Sequence, residues 1–418
     1  MSNREKPEAI GGPSAADPNG SGWVTLVDLR RNPQQIDLLA TSDTTCVLTT
    51  LGATVGLPPG DYQQIRLHLL SNTPGSGEAT PSPNNCAGTA GFNCVELMNG
   101  RRQILLLSSE AQTGIKIPPG QIAGGAIRLA AGQAADINID FDACSSIVQQ
   151  GNGAFRLKPT LHAGQISPTT QAISGRVVDN STRQPIPNAT IIVMAEQTDT
   201  DGIDRVIMQT LAHATQGTFI LCPLPLGSYD IVLAALSATG VTYNATITFG
   251  VPAGTAMSTI PLAPEGGRDT SPGAIEGLVT TADGGATGAD IALSALQTAT
   301  PTRGVVIQVT IPLFEGSTLN VATEPTSSCP RVTACATYML TVPASNPMVG
   351  TFNAAGTAYT PPAGGNVSYS VNAQAFIPGM AGTPNCSRSS LFTPPATVSA
   401  GTVTQSAPLA FTGCAAGF

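Results

Sequence analysis

Apolar residues along this chain recur every second position, in short runs broken by Pro, Gly, Asn, Asp and Ser. Successive side chains of an extended backbone point to opposite faces, so this period is the signature of a strand with one buried side. Residues 135 to 142 show it cleanly: Ala135, Ile137, Ile139 and Phe141 share one face, and Asp136, Asn138, Asp140 and Asp142 share the other. Similar runs follow from Trp23 onward as WVTLVDLR, QQIDLLA, CVLTTL, YQQIRLHLL, RQILLL, GAIRLA, DINIDF and AFRLKPTLHA. Pro/Gly clusters such as Leu57-Pro58-Pro59-Gly60 separate them.

The pattern divides the chain. Residues 1–22 are polar and rich in Gly, Pro and Ser, and read as a flexible tether. A first sandwich is expected over residues 23–164. About seven strand candidates at 8–12-residue spacing then predict a second over residues 171–264. They are ISGRVVD, ATIIVMAEQ, RVIMQTLA, GTFILCPL, SYDIVLAAL, YNATITFGV and STIPLA. A third unit is expected over residues 272–418; its opening AIEGLVTTADGGATGADIALSAL follows the strand–turn–strand order of AISGRVVDNSTRQPIPNATIIVMA and reads as a diverged repeat. The fold class is therefore all-β, three tandem antiparallel β-sandwiches.

One local device recurs. Leu57 to Tyr62 and Leu224 to Tyr229 share L-P-x-G-x-Y. Proline fixes the first corner of a turn and glycine accepts positive φ at the next. The tyrosine is then expected to bury its ring in the following strand and to bond its hydroxyl back to the backbone.

Composition narrows the function. Charged residues make up 11%, against a usual share of about 25%. The net charge of -8 and isoelectric point near 4.8 argue against nucleic acid, whose binders cluster Lys and Arg, and against a polybasic membrane anchor. No run of about 18 apolar residues is present to span a membrane. Nine cysteines at short spacings speak for an oxidising compartment, so the chain is expected outside the cytoplasm after removal of a signal peptide, with the tether following a cleavage or lipidation site.

Residues 23–163 resemble a bacterial surface-lipoprotein family, domain of unknown function 4382, through IDLLA, LPPGDYQQIRL, INIDFDACSSIV and GAFRLKP. Residues 173–263 resemble the carboxypeptidase-regulatory-like, prealbumin-type sandwiches through SGRVVD, QPIPNATI and GTFILCPLPLGSYDIVL. That resemblance implies an extracellular, seven-stranded module without catalytic chemistry.

Candidate sites weigh against plainer readings. Cys86 with Cys94, and Cys329 with Cys335, read as loop staples; Cys386 with Cys414 would tie down the last strand, and Cys46 with Cys144 share the first unit. Cys222, among apolar residues, is expected to be a buried free thiol. Asp136, Asp140 and Asp142 offer oxygen ligands to calcium, as do Asp199, Asp201 and Asp204 in DTDGID. A solvated strand face explains the first set equally well. In the second, Ile203 and Thr210 stand where a calcium loop needs oxygen ligands, and a polar hairpin turn is the better reading. No other cofactor is implied. An intramolecular isopeptide bond needs lysine, and residues 159–418 contain none. No G-x-S-x-G, H-E-x-x-H or P-loop motif occurs, and the three histidines, His68, His162 and His213, are scattered.

The expected function is that of a non-catalytic structural or adhesive protein of the bacterial cell surface. Its partners would be other surface proteins or copies of itself, joined by strand addition at weakly charged sheet edges. The alternative is a binding module for glycan or another extracellular polymer, which the 4% aromatic content disfavours. An enzyme comes third.

Overall fold

The computed structural model describes residues 2–3, 23–38, 51, 56–75, 77–97, 99–107, 114–117, 121–122, 126–142, 146–149, 153–157, 160–166, 171–266, 270–281, 290–301, 304–321, 335–362, 364, 366–376 and 390–412. Nearly all of them form strands, turns and loops, as the two-residue period predicts. The first part holds β1 (Ser2–Asn3), β2 (Gly60–Leu67), β3 (Cys94–Glu96), β4 (Arg102–Leu106), β5 (Ile115–Ile117), β6 (Ile127–Leu129), β7 (Asp136–Asp142), β8 (Ile147–Gln149), β9 (Phe155–Leu157) and β10 (Thr160–Ile166). Their short sheets enclose a core of Tyr62, Ile65, Ile115, Ile117, Ile127 and Leu161. Of the expected tether, Ser2–Asn3 pairs with β2 opposite Tyr62 and Gln64; the rest lies outside the described residues.

Residues 24–38 depart from expectation, forming no strand despite their alternation. The Asp28 carboxylate accepts the Arg30 amide and its guanidinium, and the Asn32 amide donates to Leu29 O, so the chain turns just before Pro33. Trp23 lies under the Arg66 guanidinium, 4.4 Å from ring centroid to Cζ. The run CVLTTL lies almost wholly outside the described residues.

In the second part all seven expected runs are strands: β11 (Gln171–Asp179), β12 (Thr190–Thr198), β13 (Ile203–Leu211), β14 (Thr218–Leu224), β15 (Ser228–Leu236), β16 (Thr242–Pro252) and β17 (Ala256–Leu262). The third part contributes β18 (Gly273–Thr280), β19 (Asp290–Ala299), β20 (Ile307–Thr310), β21 (Thr318–Val321), β22 (Cys335–Val342), β23 (Met348–Thr351), β24 (Tyr359–Thr360), β25 (Val367–Phe376), β26 (Ser390–Phe392), β27 (Ala396–Val398), β28 (Val403–Gln405) and β29 (Leu409–Ala410).

The two parts follow one path. β11 lies between antiparallel β14 and parallel β17; β18 lies between antiparallel β22 and parallel β28 and β29. The next strand crosses to the opposing sheet in both: β12 pairs with β13 and β15, and β19 pairs with β20 and β25.

They are not separate beads. β13 pairs in parallel with β20, and β16 pairs in parallel with β23, so one sheet of eleven strands runs through both parts. Its middle strands are buried on both faces. Along β12, Ile191, Val193 and Ala195 meet Phe219, Leu221, Ile260 and Leu262 of the small β14–β11–β17 sheet. Ile192 and Met194, with Val232, Ile247 and Phe249, join a second core with Ile275, Tyr338, Leu340, Tyr369 and Val371 from the third part. Double burial explains why TIIVMA and DIVLAAL read as unbroken apolar runs rather than alternating ones.

Both L-P-x-G-x-Y corners close as expected. The hydroxyls of Tyr62 and Tyr229 donate to Pro58 O and Pro225 O, each at 2.8 Å, and both rings are buried. Burial pushes the Tyr229 hydroxyl up to about 12. The glycines differ: Gly60 has φ of 152°, whereas Gly227 is not among the positive-φ glycines.

This packing makes two mutational outcomes specific. Ile191→Ala and Ile192→Ala, neighbours facing opposite ways, should each cost about 2–5 kcal/mol in urea denaturation, because neither side of β12 meets water. A β-sandwich with a solvated outer face would leave one of the two near neutral. Tyr229→Phe should cost about 1 kcal/mol through the lost corner bond.

Candidate functional site

Among the described residues three carboxyl groups, Glu196, Asp204 and Asp230, come together where β13 meets β20. Glu196 on β12 lies directly opposite Asp230 on β15, and Asp204 on β13 lies opposite Thr198 of β12. Glu196 and Asp204 are fully buried. Alternation places them on the same side as Ile192, Met194 and Val232, toward the core shared with the third part.

Each carboxyl is held by named donors. Thr310 of β20 donates its amide to Glu196 Oε2 at 3.2 Å and its hydroxyl to Asp204 O at 2.7 Å. Thr198 donates its hydroxyl to Asp204 Oδ1 at 2.6 Å, and the Gly250 amide donates to Asp230 Oδ1 at 2.7 Å. Glu196 Oε1 and Asp204 Oδ2 find no donor among the described residues. The Asp204 and Asp230 carboxyls lie within hydrogen-bonding contact, and two ionised carboxylates cannot bond to each other. A proton on Asp204 resolves the contact. Burial, then the Asp230 carboxyl, push Asp204 up to about 8. Burial, then Asp204, push Glu196 well above the usual carboxylate range, and burial raises Asp230.

Arg205 is the cation acting on this group, from the other face of the sheet. Its Nε donates to Asp199 Oδ2 at 2.8 Å and its Nη1 to Asn372 Oδ1 at 2.7 Å. DTDGID is thus a hairpin turn: Asp199 Oδ1 accepts the amides of Asp201 and Ile203, and Asp199 pairs with Arg205. Asp204 points inward to Thr198, so the three aspartates of this turn do not converge. In the other calcium candidate, Asp140 Oδ2 accepts the Gln209 amide of β13 at 2.9 Å, which makes that residue a bond between the first and second parts. The Asp136 main chain pairs with Ile166, and the Asp142 side chain lies outside the described residues. Among the described residues no group of three or more His, Cys, Asp or Glu side chains is arranged to hold a metal ion.

Cys86 and Cys94 form a disulfide with Cα atoms 5.7 Å apart. Cys335 is also disulfide-bonded. So is Cys222, which corrects the expectation of a free thiol there. The expected burial also fails: β14 alternates, and Cys222 shares its half-buried face with Thr218 and Ile220 while Phe219 and Leu221 point into the core. The partners of Cys222 and Cys335, together with Cys46, Cys144, Cys329, Cys386 and Cys414, lie outside the described residues.

The histidines stay apart. His68 follows β2 and is held below its usual range by burial, then by Arg66. His162 lies on β10 opposite Asp140. His213 caps the β13–β14 turn, its Nδ1 accepting the Thr215 and Gln216 amides. No helix of the described residues is long and apolar enough to cross a membrane.

Sequence reasoning missed the Glu196–Asp204–Asp230 group. The signal was present: Glu196 and Asp230 sit inside or beside the longest apolar runs, where a charge has no water to meet.

A family model described as "Domain of unknown function (DUF4382)" matches residues 8–159, about a third of the chain, and reaches into the segment read as a tether. No curated protein matches the chain. Among solved structures, the fimbrial anchor protein Mfa2 from Porphyromonas gingivalis is 8% identical, with 49% of this chain and 78% of that one covered and a TM-score of 0.18. GBS52, the minor pilin of Streptococcus agalactiae, is 9% identical over 58% of this chain and 96% of that one, with a TM-score of 0.17. A DUF3823 family protein from Bacteroides uniformis is 10% identical over 56% and 100%, with a TM-score of 0.19. Scores of this size mark no common overall fold.

Peptide mapping without reduction should recover Cys222 in a cross-linked peptide, and iodoacetamide should leave it unlabelled until reductant is added. Replacing Cys86 and Cys94 together by serine should cost about 2.5 kcal/mol, the chain entropy of a loop of that size.

Proposed function

We propose that this protein is an exported, non-catalytic structural or adhesive component of the bacterial cell surface. One observation carries the reading: Cys86, Cys94, Cys222 and Cys335, all four described cysteines, are in disulfides. Bridges of this kind persist in oxidising surroundings and are rare in the cytosol. The groups that would otherwise suggest chemistry support the same reading. The corner tyrosines, Asp140, Asp199 and His213 are all spent on turns and on contacts between strands.

In this proposal residues 173–263 are a module of the carboxypeptidase-regulatory-like, prealbumin type, and an N-terminal lipid tethers the chain. It needs no cofactor. Partners are other surface proteins or further copies, joined by strand addition. In the long sheet the edges open to such addition are its ends, β24 and β26, since β13 and β16 are already paired with β20 and β23.

Protease shaving of intact cells should release the protein, and light scattering with negative-stain microscopy should show assemblies of it or of it with other surface proteins. A cytoplasmic protein with free thiols would overturn the proposal. Retention of a monomer on a polysaccharide matrix would favour the binding module instead.

A further inference from the structure

We propose that Glu196, Asp204 and Asp230 form a proton-binding site that latches β13 to β20, holding the second and third parts together while protonated and loosening the joint as the protons leave. This reading is independent of where the protein resides. Its basis is geometric: two fully buried carboxyls face a third, the strand pair Glu196–Asp230 places two of them in direct register, and Glu196 Oε1 and Asp204 Oδ2 have no donor among the described residues.

The latch acts through Thr310. Its amide reaches Glu196 and its hydroxyl reaches the Asp204 carbonyl, while the main chain of Ile203 and Asp204 pairs with Gln308 and Val309. Among the described residues the charged groups acting on the site are few. β12 brings Glu196, β13 brings Asp204 and Arg205, β15 brings Asp230, and the turn after β12 brings Asp199. β16 and β20 bring donors that carry no charge, the Gly250 amide and the Thr310 amide and hydroxyl. Arg205 is already engaged by Asp199 and Asn372, so one guanidinium stands against four carboxyl groups. A second negative charge inside the group would face its neighbour with only the already engaged Arg205 to offset it, in a setting of low dielectric.

The direction with pH follows from the raised affinity for protons. Free carboxyls titrate near about 4, whereas Asp204 keeps its proton to about 8. Between those values the folded chain binds more protons than the unfolded one. The stabilising contribution is therefore complete below the lower value and is lost as pH rises through the upper one.

Hydrogen–deuterium exchange on the full chain, corrected for intrinsic rates, reads the latch directly. From about pH 6 to about pH 9, opening at the Thr310 amide should rise at least about tenfold, because a site that binds its proton more tightly when closed opens more readily once that proton has left. The amides between β11 and β14, remote from the site, should not follow. Asp204→Asn removes the titrating group at nearly constant size and should flatten the rise; Glu196→Gln, measured in parallel, should reduce it. Should Asp204→Asn fail to fold, the wild-type profile and Glu196→Gln decide. Protection at Thr310 that does not change with pH would overturn the proposal, as would a rise that persists in every variant that folds. Closure by millimolar calcium at pH 8, reversed by EGTA, would also overturn it, because the site would then hold a cation in place of protons.

Discussion

Everything in the larger part of this molecule depends on the middle strands of one sheet having no face left for water. β12, β15 and β16 carry apolar side chains in both directions, and each direction has its own opposing layer. Hydrophobic burial grows with apolar area removed from water, so a strand used twice contributes about twice as much as one lying on a surface. The same arrangement removes tolerance. A polar side chain on such a strand has no water to turn to: Thr246 donates to Pro261 O and Thr248 meets the Tyr359 hydroxyl, while Glu196 Oε1 is left without a donor among the described residues.

Edge chemistry follows from the same constraint. The chain has few lysines and little charge with which to guard unpaired strand edges. It covers two of them internally, placing β20 on β13 and β23 on β16. On the open stretch of β13, the Asp140 carboxylate takes the Gln209 amide in place of another strand. The connection between the second and third parts is also bound in, since Glu265 donates its amide to Thr242 O and accepts the Ala344 amide.

Much of this was legible in the residues, and the reasons for the rest are physical. All seven strands of the second part could be placed because β propensity, turn residues and spacing agree locally. The tyrosine corners were legible because proline and an aromatic ring four residues later make a closed local unit. Residues 23–38 were misread because alternation reports a pattern of side chains, and the Asp28–Arg30 bonds turn the backbone regardless. The polar face of β7 was read as solvated; part of it is a contact, because sequence does not show what lies across from a strand. The bridge at Cys222 failed in the same way, whereas the carboxyl group at Glu196 had a local signal, acidic residues set against long apolar runs, that went unused.

The parallel pairing of β16 with β23 joins residues about a hundred positions apart, and neither strand is complete without the other. Ordering such a distant pair means closing a long loop before any contact rewards it, so the sheet is expected to assemble late and slowly. As the polypeptide emerges from the ribosome, its second part presents two bare edges and an uncovered oily face until the remainder arrives. Chains caught with such a surface exposed are the species most prone to aggregate.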